Sequence, residues 1–352
     1  MGRHFWNHLL LVCALSFSFL QQASAQAAYT VTDLGTLGGS SSYAYGINSL
    51  GQVVGYSVRA DGYPCAFIYS NGTMLNLGAP AGSAYCSAGY AINNAGQATG
   101  QFSKPWVIPQ YPVSEAFLYS GGMTDIGTLS TVLPCCGTSM SSGNAINNLG
   151  QVAGNSYLND QSTMGFLWSK GSMTPIGSLY TGPSPAPYSA FYWSGAVGIN
   201  DSGQIVGASS IWSTTTNSVK QHAILWSSGT MKDLGTFGGD YSEAAAINNA
   251  GQITGYATYA NGTSHAFLYS GGVMQDIGTL GGSSSQGFAI NSLGQVIGAP
   301  PPREMRPIMC SCTRPERPQE RAAWSMCRRF CRPAPSGCST PKAPWVSTMR
   351  DR

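Results

Sequence analysis

The chain has 352 residues, of which 43% are hydrophobic and only 9% charged, with 45 glycines. Residues 26–299 hold 5 Lys+Arg against 10 Asp+Glu, a net charge of −5, which sets aside a nucleic-acid groove. About 270 residues suffice for one large β domain burying roughly 70 to 75% of its unfolded surface, and the glycine content is that of a chain with frequent turns.

Residues 1–25 read as a secretory signal peptide: Arg3 and His4 precede the apolar run Leu9 to Leu20, and Ala23-Ser24-Ala25 places small residues at the cleavage positions. A lipoprotein site at Leu10-Leu11-Val12-Cys13 is disfavoured, because Val12 is bulky where such sites take a small residue. The run is too short to span a bilayer, and no other stretch reaches the ~20 apolar residues a span needs. Export to the cell surface, periplasm or medium, with no membrane span in the mature chain, is therefore expected.

Tyr29 to Gly39 reads YTVTDLGTLGG, which matches Asp276 to Gly282 far downstream, yet no companion strands precede it. The expectation is an outer strand that closes a ring on its last, incomplete blade. Repeats then run over 44–78, 89–129, 143–179, 196–237, 244–280 and from 287 onward.

The fifth copy shows the unit most fully, as AINNAGQITGYATYANGTSHAFLYSGGVMQDIGTLGG from Ala246 to Gly282. Strand propensity is concentrated at Ala245–Ile247, Gln252–Ala257, His265–Ser270 and Met274–Leu280, giving four strands per copy. Asn248-Asn249-Ala250-Gly251 opens the first hairpin and Ser270-Gly271-Gly272 the last. The third strand is apolar on both faces, so neighbouring copies must cover it. The turn asparagine recurs as Asn48, Asn93, Asn147, Asn200, Asn248 and Asn291, at intervals of 45, 54, 53, 48 and 43 residues. Such intervals suit four-stranded propeller blades of roughly 40 to 50 residues and are about twice a β-helix coil. The first strand is built of small residues, as a strand beside a central axis must be. The predicted fold class is all-β: a β-propeller of four-stranded antiparallel blades with about six repeats, filling residues 29–299.

After Gly298 the composition changes abruptly. Residues 300–352 hold 11 Lys+Arg against 4 Asp+Glu and form a basic, Pro-, Arg- and Cys-rich, non-repeat tail. Counting ten residues from Gly298, the interval that separates the second-strand glycine from the third strand in copies one and five, lands on Ile308. Suitable codons for Ile308 to Pro315, read two bases out of phase, spell His-Val-Phe-Leu-Tyr-Ser-Ala-Gly, the missing third strand. The tail is thus read as an out-of-frame translation and expected to be disordered. Resequencing the locus checks this: an unbroken frame without repeat coding in either other phase excludes it.

With Ala246-Ile247-Asn248-Asn249-x-Gly251-Gln252, His265-Ala266-Phe267-Leu268-Tyr269-Ser270 and Asp276-Ile277-Gly278-Thr279-Leu280 in place, the region 29–298 resembles the HAF family of bacterial extracellular repeat proteins. Cys65 and Glu115 stand where the family pattern has His, and Ile224 follows His222-Ala223 where it has Phe. The resemblance implies a secreted repeat protein and brings no catalytic residues or cofactor.

Outside the signal only His222 and His265 remain, both at one repeat position, so no Ser-His-acid arrangement can be assembled without a scaffold residue. The recurrent Asp33, Asp125, Asp233 and Asp276 are read as caps of the following Gly-Thr turn, and neither metal nor cofactor is expected. Of the cysteines outside signal and tail, Cys65 and Cys86 are the candidate disulfide, with Cys135 and Cys136 left open. The copies differ most in the connections from strand two to three, at Gln101–Glu115 and Ala208–Gln221, and from strand four to the next copy, at Ser130–Asn144 and Tyr180–Gly195. Both classes emerge on one face of the disc, where binding is expected. Trp106, Tyr111, Tyr157, Tyr188, Tyr192, Trp193 and Trp212 lie there as candidate ligand contacts. Flat aromatic faces with few charges suit a glycan or a cell-surface protein. The expected function is a non-catalytic binding or surface-structural module. A secreted polysaccharide hydrolase or lyase is the alternative, for which Asp201 and Glu243 are the acids to test.

Overall fold

Each copy folds as a four-stranded antiparallel meander. The first strand carries a β-bulge that pushes one carbonyl toward the second strand, where only glycine fits. A Cβ on Gly55, Gly100 or Gly255 would lie 1.9 Å from the carbonyl oxygen of Tyr43, Ala88 or Glu243, and the bulge recurs in all six copies. Between strands three and four the two-residue turns Asn71-Gly72, Lys170-Gly171, Ser228-Gly229 and Gly271-Gly272 have both φ values positive, the primed geometry that matches strand twist.

The computed structural model describes residues 30–80, 87–104, 113–130, 140–159, 162–180, 193–213, 216 and 218–299. The expected signal peptide, the tail from 300, Cys86, Cys135 and Cys136 lie outside the described residues, as do Trp106, Tyr111, Tyr188 and Tyr192. Blade one comprises β1 (Gly38–Ile47), β2 (Val53–Arg59), β3 (Pro64–Ser70) and β4 (Thr73–Gly78). Blade two comprises β5 (Ser87–Ile92), β6 (Ala98–Ser103), β7 (Ser114–Tyr119) and β8 (Met123–Gly127). Blade three comprises β9 (Ser141–Ile146), β10 (Val152–Tyr157), β11 (Thr163–Ser169) and β12 (Ser172–Pro175). Blade four comprises β13 (Ser194–Ile199), β14 (Ile205–Ser213), β15 (Ser218–Ser227) and β16 (Thr230–Asp233). Blade five comprises β17 (Gly238–Ile247), β18 (Ile253–Tyr259), β19 (Ser264–Ser270) and β20 (Val273–Asp276), and a half-blade follows with β21 (Gln286–Ile290) and β22 (Val296–Ala299). Strand order within each complete blade is sequential, and one parallel bridge, Gln221 to Tyr241, joins blades four and five. The architecture is a β-propeller.

The core lies between blades rather than within them. Val54, Ala66, Ile68 and Leu77 of blade one pack with Ile92, Ala98, Phe102 and Phe117 of blade two, and the other complete junctions repeat the arrangement. The third-strand aromatics Phe67, Phe117, Phe166 and Phe267 are fully buried, as is Ile224 at the same position. Burying each such side chain is worth roughly 1.5–3 kcal/mol, so a blade is stable only against its neighbours.

Two boundaries differ from the sequence reading. In blades four and five the fourth strand stops at the aspartate instead of running through Gly-Thr-Leu, because Asp233 and Asp276 accept the N–H of Gly235 and Gly278 at 2.7 Å and turn the chain. The Ala208–Gln221 connection is largely an extension of the β14–β15 hairpin, paired as far as Ser213 and Ser218.

Polar side chains lock the ring. Asn48 Oδ1 accepts the N–H groups of Leu50 and Gln52 at 3.0 and 2.9 Å, while its Nδ2 donates to Gln52 Oε1 at 2.7 Å and to the carbonyl of Asn93 in the next blade at 2.9 Å. The same inter-blade bond links Asn93 to Asn147, Asn147 to Asn200, Asn200 to Asn248 and Asn248 to Asn291. A second hook uses a first-strand serine, whose Oγ accepts the third-strand N–H of the preceding blade. Ala66 donates to Ser87, Ala116 to Ser141, Gly165 to Ser194, Ala223 to Ser242 and Ala266 to Ser285.

Candidate functional site

The bulge that demands the second-strand glycine also presents one first-strand residue out of register. That position is Tyr45, Tyr90, Asn144, Val197, Ala245 and Phe288 in the six copies, so the scaffold is constant and the displayed side chain is not. In blades one and two the displayed residues are both tyrosine, and cross-strand pairing adds two more. Tyr43 lies opposite Tyr56 and stacks on it at 4.9 Å between ring centroids. Tyr45 lies 5.9 Å from Tyr56 and meets Tyr90 edge-on at 5.5 Å. Tyr43 and Tyr45 remain 52% and 54% exposed, so these rings form a surface and not a core.

Tyr56 and Tyr90 line a cleft of about 290 Å³ between blades one and two, with Pro64, Ser87, Gln101 and Phe102 among others, and Tyr43 and Tyr45 pack against those two rings. Burial, with the adjacent phenols Tyr45 and Tyr43, raises the Tyr56 pKa, and burial with Tyr45 raises that of Tyr90. The rings are therefore neutral hydroxyl donors at ordinary pH, and no acidic or basic side chain lines the cleft.

A second cleft of about 230 Å³ occupies the equivalent place between blades two and three, lined by Gln101, Met140, Ser142, Asn155, Tyr157 and Thr163 among others. Gln101 lines both. Asn155 Oδ1 accepts the Ala196 N–H at 2.8 Å, and Asn144 Nδ2 donates to the Ala196 carbonyl at 2.9 Å, so these amides also bridge to blade four.

Of the aromatics singled out from the sequence, Tyr157 lines the second cleft. Trp193 is half-buried: its N–H donates to Ser210 Oγ at 3.1 Å, and its indole lies over Gly195, beside Asn155. Trp212 is half-buried on the extended hairpin, opposite Val219. Trp193 and Tyr157 thus approach one cleft, while Trp212 stands on a separate projection. The tyrosine group on β1, β2 and β5 was missed because disagreement between copies was sought in connections; the same test on strand positions finds Tyr45 and Tyr90.

The chemistry-bearing side chains fall elsewhere. His222 Nδ1 donates to Asp233 at 2.8 Å and His265 Nδ1 to Asp276 at 2.8 Å, tying strand three to strand four. Where Glu115 replaces the histidine, Lys104 enters between Glu115 and Asp125, at 2.6 and 2.8 Å. Where Met164 replaces it, Pro175 stands in place of the aspartate, and in blade one Cys65 and Asn76 occupy the two positions. In blades one and three both positions differ from the His–Asp pair, and in blade two Lys104 joins Glu115 to the retained aspartate. Despite burial, hydrogen bonds from His222 and the Gly235 N–H hold Asp233 below the ordinary carboxylate range. Asp276 is held low in the same way by Tyr259, the Gly278 N–H and His265. Cys65 is a buried free thiol whose pKa burial pushes up.

Asp201 accepts from the Asn148 N–H and Nδ2 and from Asn249 Nδ2 at 2.7–2.9 Å, in the β13–β14 turn. Glu243 lies within β17 beside Tyr256, whose pKa burial and that carboxylate push up to about 12. The two acids thus have separate hydrogen-bond partners, Asn148 and Asn249 for Asp201 and Tyr256 for Glu243. Among the described residues no group of His, Cys, Asp and Glu suits a metal ion, and no helix is long and apolar enough to cross a membrane.

No family model and no curated protein matches the chain. Among solved structures, the β-propeller domain of the Trilobed protease from Pyrococcus furiosus aligns at 8% identity and a TM-score of 0.41, over 66% of each chain. A mutant Aleuria aurantia lectin in complex with alpha-methyl-L-fucoside aligns at 13% identity and 0.32, over 68% of this chain and 79% of the lectin. A mutant of AofleA from Arthrobotrys oligospora aligns at 12% identity and 0.28, over 77% and 78%.

Proposed function

We propose that this protein is an exported, non-catalytic binding propeller of the HAF type, and that its inter-blade clefts take a neutral, hydroxyl-rich ring compound of the glycan class. The observation that carries the reading is the uncharged cleft lined by Tyr56 and Tyr90, against which the exposed rings of Tyr43 and Tyr45 pack. Exposed aromatic faces stack on the C–H face of a sugar ring, and Gln101 and the phenols supply hydrogen bonds without charge. The histidines and most of the acids are engaged in holding strands together, which supports the absence of catalysis.

Glycan-array screening followed by titration tests this. Tyr56→Ala and Tyr90→Ala should each weaken binding by about tenfold, or ~1.4 kcal/mol, with the circular dichroism spectrum unchanged. Trp193→Ala should weaken ligands that reach the second cleft. Unaltered affinity in both tyrosine variants removes the site. Turnover of a polysaccharide that is lost in Asp201→Asn or Glu243→Gln overturns the non-catalytic reading.

A further inference from the structure

We infer that the two inter-blade clefts are consecutive subsites for one ligand, a linear neutral glycan held along its length by two adjacent ring units; this rests on the glycan reading above. The clefts are successive copies of one site. Tyr56, Gln101 and Asn155 each follow the second-strand glycine, Gly55, Gly100 and Gly154, in blades one, two and three. Tyr56 of blade one and Gln101 of blade two line the first cleft, and Gln101 of blade two and Asn155 of blade three line the second. The other linings correspond in the same way: Ser87 and Ala88 become Ser141 and Ser142, and Phe102 and Ser103 become Ser156 and Tyr157.

Gln101 is the side chain the two clefts share, and its amide is uncommitted. The turn glutamines Gln52, Gln97, Gln151, Gln204 and Gln252 hold the ladder asparagines at 2.7–2.8 Å, whereas the Gln101 amide has no hydrogen-bond partner among the described residues. A primary amide at a shared wall can serve both neighbours, donating to a hydroxyl of one ring unit and accepting from a hydroxyl of the next. The clefts differ in what else they offer. The first presents the rings of Tyr56 and Tyr90, which suit a C–H face, and the second presents the hydroxyls of Tyr157 and Thr163. Neither cleft is lined by a charged side chain.

The uncharged run is confined to blades one to three. At the next junction Asn144 Nδ2 and Asn155 Oδ1 are bound to the carbonyl and N–H of Ala196, and the residue after the second-strand glycine is the buried Ala208. Tyr256 holds that position in blade five, but its hydroxyl donates to the Glu243 carboxylate at 3.3 Å. Three successive walls, Tyr56, Gln101 and Asn155, therefore define two subsites. A chain that fills both makes its second contact at high effective concentration, an advantage a single sugar lacks.

The test is calorimetric titration of the full-length protein with cello-, xylo-, manno- and chito-oligosaccharides, each from monomer to tetramer. In a series that binds, the dimer should bind at least about tenfold more tightly than the monomer, and longer chains should add less than about threefold. Tyr157→Ala should reduce the dimer to the affinity of the monomer and leave the monomer, which the Tyr56 and Tyr90 rings hold, unchanged. Thr163→Val, which removes only a hydroxyl, should weaken the dimer alone and serves if the alanine variant does not fold. A monomer that binds as tightly as the dimer, or second-cleft variants that affect monomer and dimer alike, overturns the inference and leaves the glycan reading standing. Binding by none of the four series overturns it too, and a glycan array without a single neutral ligand removes the glycan reading with it.

Discussion

At the scale of single residues, the turn asparagine shows how much one side chain can be asked to do. A primary amide has two donors and an acceptor oxygen with two lone pairs, and Asn147 uses all of them: two N–H groups of its own turn, Gln151 Oε1, and the carbonyl of Asn200. The sequence reading saw the turn and not the bond to the next blade, because the partner lies 53 residues away. Glu115 is the opposite case, a departure from the repeat whose cost is visible. Burial, with Asp125 nearby, raises its pKa above the ordinary value of 4.5 even though Lys104 pairs with it. A carboxyl with a raised folded-state pKa binds more protons when folded, so its contribution to stability falls as pH rises from that ordinary value through the raised one. Glu115→Gln should therefore gain Tm relative to the parent protein progressively across that window, as thermal melts at stepped pH will show. Asp233 and Asp276 have depressed values, so their contribution is complete above the ordinary carboxylate range and is lost as pH falls through the folded values.

At the scale of the strand, the first-strand bulge joins architecture to display. It leaves no room for a Cβ on the facing glycine, and it turns one side chain per blade outward. Gly100→Ala would place a methyl carbon 1.9 Å from the Ala88 carbonyl, between backbones that cannot yield cheaply. A loss of at least about 3 kcal/mol is expected, whereas Gly62→Ala, in an open turn with φ +88°, should cost only the strain of its backbone, about 1 kcal/mol. Urea denaturation of the two variants checks both figures. The glycine itself was plain in the sequence as a fixed mark in every copy. Its cause was not, since a bulge changes the register of hydrogen bonds without leaving a residue of its own.

At the scale of the whole molecule, stability is the sum of blade-to-blade contacts, with almost no core private to a blade. Blades two to four have neighbours on both sides, while among the described residues β21 and β22 form a two-stranded sheet of their own beside blade five. Amide exchange should therefore be slowest in the second and third strands of blades two to four and fastest in β21 and β22. Uniform protection across all six copies would overturn this expectation.

By itself, the sequence determined the blade: its four strands, its turns, its third-strand anchor and the number of copies, because these depend on local pattern repeated at a constant spacing. It also pointed to the face on which copies differ. Only the tertiary structure decided what the repeated polar residues do, since the asparagine ladder and the serine hooks join residues 19 to 54 positions apart. It also decided which aromatics converge. Tyr43, Tyr45, Tyr56 and Tyr90 come from three strands of two blades, and the cleft that Tyr56 and Tyr90 line exists only when those blades are packed together.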